Sequence, residues 1–115
     1  MHELAVAENI VHIVREEMRK AGLAKLNVVY LKVGEFTHLM PDALRFCFEV
    51  SVQKNTPLQG ATLHIEVVPT LVFCHACESE FHLEGCPVFI CPRCAGTDVE
   101  VRAGREMSIE AIDAD

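Results

Sequence analysis

The sequence has no tryptophan, a single tyrosine and only 10 lysines and arginines against 17 aspartates and glutamates. The resulting formal charge of −7 argues against a phosphate-binding surface, because nucleic-acid binders present clustered cations. No apolar run approaches the roughly 18 residues that would suggest a membrane-spanning helix. A Gly-rich phosphate loop, a paired nucleophile and base, and a cluster of acids at catalytic spacing are all missing, so no common enzyme signature is present. There is no internal repeat and no low-complexity linker. The first residues, Met-His-Glu, lack the basic region and apolar run of a signal peptide. A cytoplasmic protein that is not an enzyme is the expectation.

What is present is compact. The 115 residues are 50% hydrophobic, too apolar for a disordered chain and enough for one domain, or a small core with an appendage. A chain this short keeps much of its surface in water, so a metal is a plausible aid to folding. Six cysteines in a reducing compartment read as metal ligands rather than as a disulfide framework. Four of them fall as Cys74-His-Ala-Cys77 and Cys91-Pro-Arg-Cys94, with 13 residues between the pairs; Cys47 and Cys86 stand alone.

Periodicity places these motifs. Leu4, Ala7, Ile10, Val11, Val14 and Met18 recur at helical spacing, predicting a helix over about residues 3–21 that Gly22 ends. The run LNVVYLKV at 26–33 reads as a strand stopping at Gly34. A second helix is expected from Pro41, with Asp42 near its positive end. Its body alternates ambiguously at Phe46, Phe48, Val50 and Val52, but Leu44, Cys47, Phe48 and Val52 share one helical face. In ATLHIEVV, Leu63, Ile65 and Val67 are expected to point inward and His64 and Glu66 outward, before a boundary at Pro69. The tail EMSIEAI, 106–112, alternates again and can return to the first sheet. The expected fold is α+β: two helices on a small three-stranded mixed sheet, with an inserted zinc-ribbon-like module. Residues 1–69 and 105–115 would form the α/β domain and residues 70–104 the module.

Two C-x2-C pairs at this separation match a structural zinc site, each tight turn aiming two sulfurs at one ion. Pro92 and Gly96 suit the second turn. Cys74, Cys77, Cys91 and Cys94 would close the coordination sphere of a single Zn2+, leaving no open position for a substrate water. The ion would supply folding energy to a segment whose apolar pieces, LVF and VFI, are too short for a core. A redox pair and tetrathiolate iron are the chemical rivals. A nucleic-acid zinc ribbon is another, yet residues 70–105 carry only Arg93, Arg102 and Arg105 against five acids. His75 and His82 read as solvated histidines, Cys86 as a spectator and Cys47 as a small core residue.

The amino terminus carries a second candidate. His2 is too large to permit removal of the initiator methionine, so Met1 should keep a free α-amine, whose proton a cation can displace near neutral pH. That amine, the deprotonated amide of His2 and the His2 imidazole can close two fused chelate rings, an array that suits Ni(II) or Cu(II). Glu3 adds an amide or a carboxylate. Alone, a histidine at position 2 also fits a merely flexible terminus.

In combination these motifs are more specific. Met1-His2-Glu3 opening a helix, Gly34-Glu35-Phe36 after the first strand, Phe46-Cys47-Phe48-Glu49 in the second helix and the two cysteine pairs together resemble the HypA/HybF family, across the whole chain. The resemblance implies a nickel metallochaperone for [NiFe]-hydrogenase maturation. Ni2+ would be a labile cargo held by Met1, His2 and Glu3, and Zn2+ would be structural. Its implied partners are a HypB-type GTPase and a hydrogenase large-subunit precursor, with urease served by some members and a homodimer formed by some; neither nucleic acid nor membrane is implied. Some members add a carboxylate from the loop after the first strand. Here Met40 stands nearest that position and Asp42 two residues on, where it reads better as a helix-start acid; His38 reads as a surface residue.

Overall fold

The computed structural model describes residues 3–54, 56–82 and 89–115. Helix α1, Glu3–Ala21, buries Val6, Ala7, Ile10, Val14 and Met18 along one face. Its end is a glycine cap: Gly22 takes φ +69°, its N–H donates to Arg19 C=O and the Leu23 N–H to Met18 C=O at 2.9 Å. Strand β1, Leu26–Gly34, follows. A short 3-10 turn, Glu35–Thr37, then leads to helix α2, Pro41–Val52. Pro41 sits in the first turn of α2, where a missing N–H costs nothing. Leu44, Phe48 and Val52 are its buried side chains, so the ambiguous segment is helical. The strand-like alternation there reflects Phe46 and Val50 facing out, at 67% and 42% exposed.

Strand β2, Thr62–Val68, pairs in parallel with β1, with α2 in the crossover that a parallel pair needs. The last strand, β6 (Met107–Ala114), pairs antiparallel on the other side of β1, giving the order β2-β1-β6. The register sets Leu63, Val29 and Ile112 in one row, and Ile65, Leu31 and Ile109 in the next. Both rows join the core formed with the helices. Two details differ from the sequence reading. Val67 is 46% exposed, because β2 is an edge strand and the core cover does not reach that far along it. Leu4 is likewise 51% exposed, while Val6, outside the periodic stripe, is buried.

A second sheet holds the cysteine segment, in the order β4-β3-β5, all antiparallel. Its strands are β3 (Leu71–Cys74), β4 (Ser79–His82) and β5 (Val99–Ala103). Here Val72, Cys74 and Cys91, with Thr70 at the entry and Gly104 at the exit, are the buried residues among those described. The apolar support is as thin as the short runs LVF and VFI implied. The two sheets meet where Pro69-Thr70 leads from β2 to β3 and Gly104-Arg105 from β5 to β6. There the Gly34 N–H donates to Glu106 C=O at 2.8 Å and the Phe36 N–H to Gly104 C=O at 2.7 Å.

Candidate metal centre

The sulfurs of Cys74, Cys77, Cys91 and Cys94 lie within 4.8 Å of one another, a cluster that could hold a metal ion. Strand β3 delivers Cys74 at its end, and a turn then brings back Cys77. The second pair closes from the segment between β4 and β5. Across the pairs, Cys74 and Cys94 Sγ are 3.7 Å apart, and Cys77 and Cys91 Sγ are 3.8 Å apart. Four sulfurs at about 2.3 Å from a tetrahedral zinc would stand roughly 3.8 Å from each other, which these two cross-pair distances match.

Backbone geometry holds it there. The residue after the second cysteine of each pair adopts a left-handed conformation: Glu78 at φ +53° and Ala95 at φ +57°. This shared feature curls both turns around their sulfurs. Backbone N–H groups point inward, from Arg93 to Cys91 Sγ and from Gly96 to Cys94 Sγ, each at 3.4 Å. The loop closes with the Ala95 N–H donating to Cys91 C=O at 2.8 Å and the Cys91 N–H to Gly96 C=O at 3.0 Å. Gly96 therefore suits the turn through close approach, since a Cβ there would meet Cys94 Sγ at 3.1 Å; the positive φ belongs to Ala95.

Electrostatics separate the four thiols. The Cys94 and Arg93 backbone N–H groups favour the thiolate of Cys91 and bring its pKa down to about 6. Hydrogen bonding to Cys94, together with burial and the other sulfurs, pushes Cys77 up to about 12. Four close thiols cannot all ionise without a cation, so the chemistry of the set calls for one.

Two of the basic side chains near the cysteines, His75 and Arg102, are engaged within their own sheet. His75 is not simply solvated: its Nε2 is 3.4 Å from Glu100, its ring meets Phe73 edge-on at 5.1 Å, and its N–H donates to Asp98 C=O. Arg102 binds Glu100 at 3.0 Å and lies 3.7 Å over the Phe73 ring. Of the module's arginines, this one is committed to its own sheet. His82 is exposed at the end of β4, and Cys47 packs half-buried against the core.

Of the N-terminal residues, Met1 and His2 lie outside the described residues, as does Cys86. Glu3 begins α1, and its Oε1 accepts the Met40 N–H at 3.3 Å. The head of α1 thus rests on the loop after β1. In that loop His38 is exposed, takes φ +61° and stacks near Phe36 at 5.5 Å. Phe36 in turn meets Phe89, two residues before Cys91, edge-on at 5.5 Å. Asp42 pairs with Arg45 at 2.8 Å in the first turns of α2, the role of a helix-start acid.

The family described as hydrogenase/urease nickel incorporation, metallochaperone, hypA matches residues 1–114. The chain belongs to the HypA family. Hydrogenase maturation factor HypA 2 of Bradyrhizobium diazoefficiens is 41% identical over 115 residues, all of this chain and all of that protein. Hydrogenase maturation factor HypA of Chloroflexus aurantiacus is 40% identical over 113 residues, 98% of each chain. The fold matches the solution structure of the Ni metallochaperone HypA from Helicobacter pylori with a TM-score of 0.69 at 21% identity, covering 99% of this chain and 97% of that one. A further solution structure of HypA protein matches with a TM-score of 0.72. The whole-chain resemblance carried by the N-terminal triplet, the Gly-Glu-Phe turn and the cysteine pairs is thus family membership, and the HypA fold accounts for two helices with two small sheets.

Proposed function

We propose that this chain is a nickel carrier that binds Ni(II) at its amino terminus and delivers it during [NiFe]-hydrogenase maturation, with a structural zinc ion in its module and no catalytic reaction of its own. The observation that carries the reading is the pairing of a family-wide match over residues 1–114 with a four-sulfur cluster of zinc dimensions. Residues 1–69 with 105–115 form the nickel-binding unit, and 70–104 the zinc module. Cys74, Cys77, Cys91 and Cys94 ligate zinc; all four positions taken, that site offers nothing to a labile cargo. Nickel is left to Met1, His2 and Glu3.

A terminal chelate suits a cargo that must be let go. Nickel stands high in the divalent affinity order, so release needs donors on a free end that a partner can approach. Protonating the amine or the imidazole weakens the hold, so affinity falls as pH drops through the histidine range. The Met40 N–H on Glu3 supports this placement, because it anchors the third residue of the triplet to the loop after β1. A HypB-type GTPase is the loading partner and a hydrogenase large-subunit precursor the recipient, in the cytoplasm.

The test is nickel titration of untagged, zinc-loaded protein against His2→Ala. One nickel bound near neutral pH, lost in His2→Ala with zinc retained, is the expected result. Equal binding by both proteins, or by neither, overturns the N-terminal site.

A further inference from the structure

The two helices leave an apolar strip on the side away from the sheet. Leu4, Val11 and Val50 line a groove between α1 and α2 together with Glu8, Ser51 and Lys54. One turn before Val50 on α2, Phe46 stands 67% exposed. Leu4 at 51% and Val50 at 42% exposed complete the strip. An aromatic side chain held in water on a regular helix contributes nothing to the core, and its burial against a partner would recover that apolar area.

Charge narrows the partner. Between Glu3 and Val14, α1 contains Glu3 and Glu8 and no lysine or arginine. On α2, Glu49 is exposed beside Val50, while Arg45 turns away to Asp42 and to Leu63 C=O. Lys54 is the one cation lining the groove. The strip is thus apolar along its length and predominantly acidic at its border, in a chain of charge −7. A second copy would bring another strip of the same acidic balance to this face, with Lys54 the one lining cation on each side, which costs affinity.

We propose that this face is a docking groove for a basic amphipathic helix of another protein, which lays apolar residues spaced i, i+4, i+7 over Phe46, Val50, Leu4 and Val11 and sets lysines or arginines against Glu8 and Glu49. Two helices offer a third the ridge-and-groove surface that it packs on. Phe46 is the anchor, as the largest exposed apolar group on the strip. This surface stands whether or not the amino terminus carries nickel, and its test needs no nickel.

The probe is a dye-labelled Leu/Lys peptide of about 18 residues with helical apolar spacing, titrated against the zinc-loaded protein at about 0.15 M salt. A Leu/Glu peptide of the same pattern is the charge control. Binding of the Leu/Lys peptide, weakened at least about tenfold by Phe46→Ala and by Val50→Ala but not by Tyr30→Ala on the opposite sheet face, is the expected result. Unchanged melting temperatures for the Phe46 variant would show that the loss is local. The proposal is overturned if the Leu/Lys peptide does not bind, if it binds Phe46→Ala equally well, or if the Leu/Glu peptide binds as tightly. Sedimentation showing a dimer that Phe46→Ala dissolves would also overturn it, by assigning the face to a second copy.

Discussion

Gly34 and Gly104 stand backbone to backbone at the junction of the two sheets: a Cβ on Gly34 would fall inside the Gly104 carbonyl. Gly104 itself takes φ +91°, and a Cβ there would lie 2.6 Å from Pro69 C=O. Three strand ends are therefore stacked with no side chain between them. This is what lets the Phe36 N–H reach Gly104 C=O at 2.7 Å and holds the four-cysteine sheet against the end of β1.

Gly34→Ala should consequently cost about 1–3 kcal/mol, the usual penalty for overpacking where backbone cannot yield. The urea midpoint measures it. The Phe36–Phe89 contact should loosen in the same variant, visible as shifted ring resonances. An unchanged midpoint and unchanged spectra would mean that the junction relaxes freely.

That junction was invisible in the sequence, and the reason is physical. Helix α1, strand β1 and helix α2 announce themselves by periodicity and by Gly22, Gly34 and Pro41, which are local signals. Gly104 carries its meaning only against Pro69 and Gly34, distant in the chain. Strands β4 (SEFH) and β5 (VEVRA) were equally hard to read, because a sheet with one wholly buried valine needs no apolar run. The four cysteines were legible because metal-ligand spacing is itself local, whereas the left-handed Ala95 beside Gly96 was not: glycine is the residue one would assign to positive φ. Phe46 blurred the helical signal in another way, since an outward aromatic mimics strand alternation.

Phe46 and Phe48 give a direct contrast two residues apart. Phe48 is fully buried and Phe46 is 67% exposed. Phe48→Ala should lose about 3–5 kcal/mol through the cavity it leaves. Phe46→Ala should change stability by less than about 0.5 kcal/mol. Chemical denaturation of both variants checks this, and equal costs would mean that α2 sits differently on its sheet.

Removing the metal should act on one sheet. Among the described residues of 71–103, little more than Val72 and the sulfur-bearing Cys74 and Cys91 is buried, so a bound ion would supply the missing core. Chelation should raise amide exchange in β3, β4 and β5 toward that of an unfolded chain, while α1, β1 and α2 keep their protection. Cys94→Ser should reproduce this without chelator. Loss of protection throughout the chain would instead make the zinc site a condition for the α/β layer to fold.

Acid should release the zinc, and the sign follows from the thiols. Cys91 is brought down to about 6 by the Cys94 and Arg93 N–H groups, whereas Cys77 is pushed up to about 12, first by its hydrogen bond with Cys94. Near neutral pH Cys91 therefore meets the cation as a thiolate, whereas Cys77 surrenders its proton as the cation enters. The bound state carries fewer protons than the free one, so raising pH favours binding and lowering it favours release. Below about 6, Cys91 too must lose a proton to bind and the dependence steepens. Competition with a chelator between pH 6 and 8 should show affinity rising at least about tenfold per pH unit, one decade for each proton displaced. An affinity flat across that range would mean that the thiols ionise before the metal arrives, and that the cradle holds its charge by some means other than the cation.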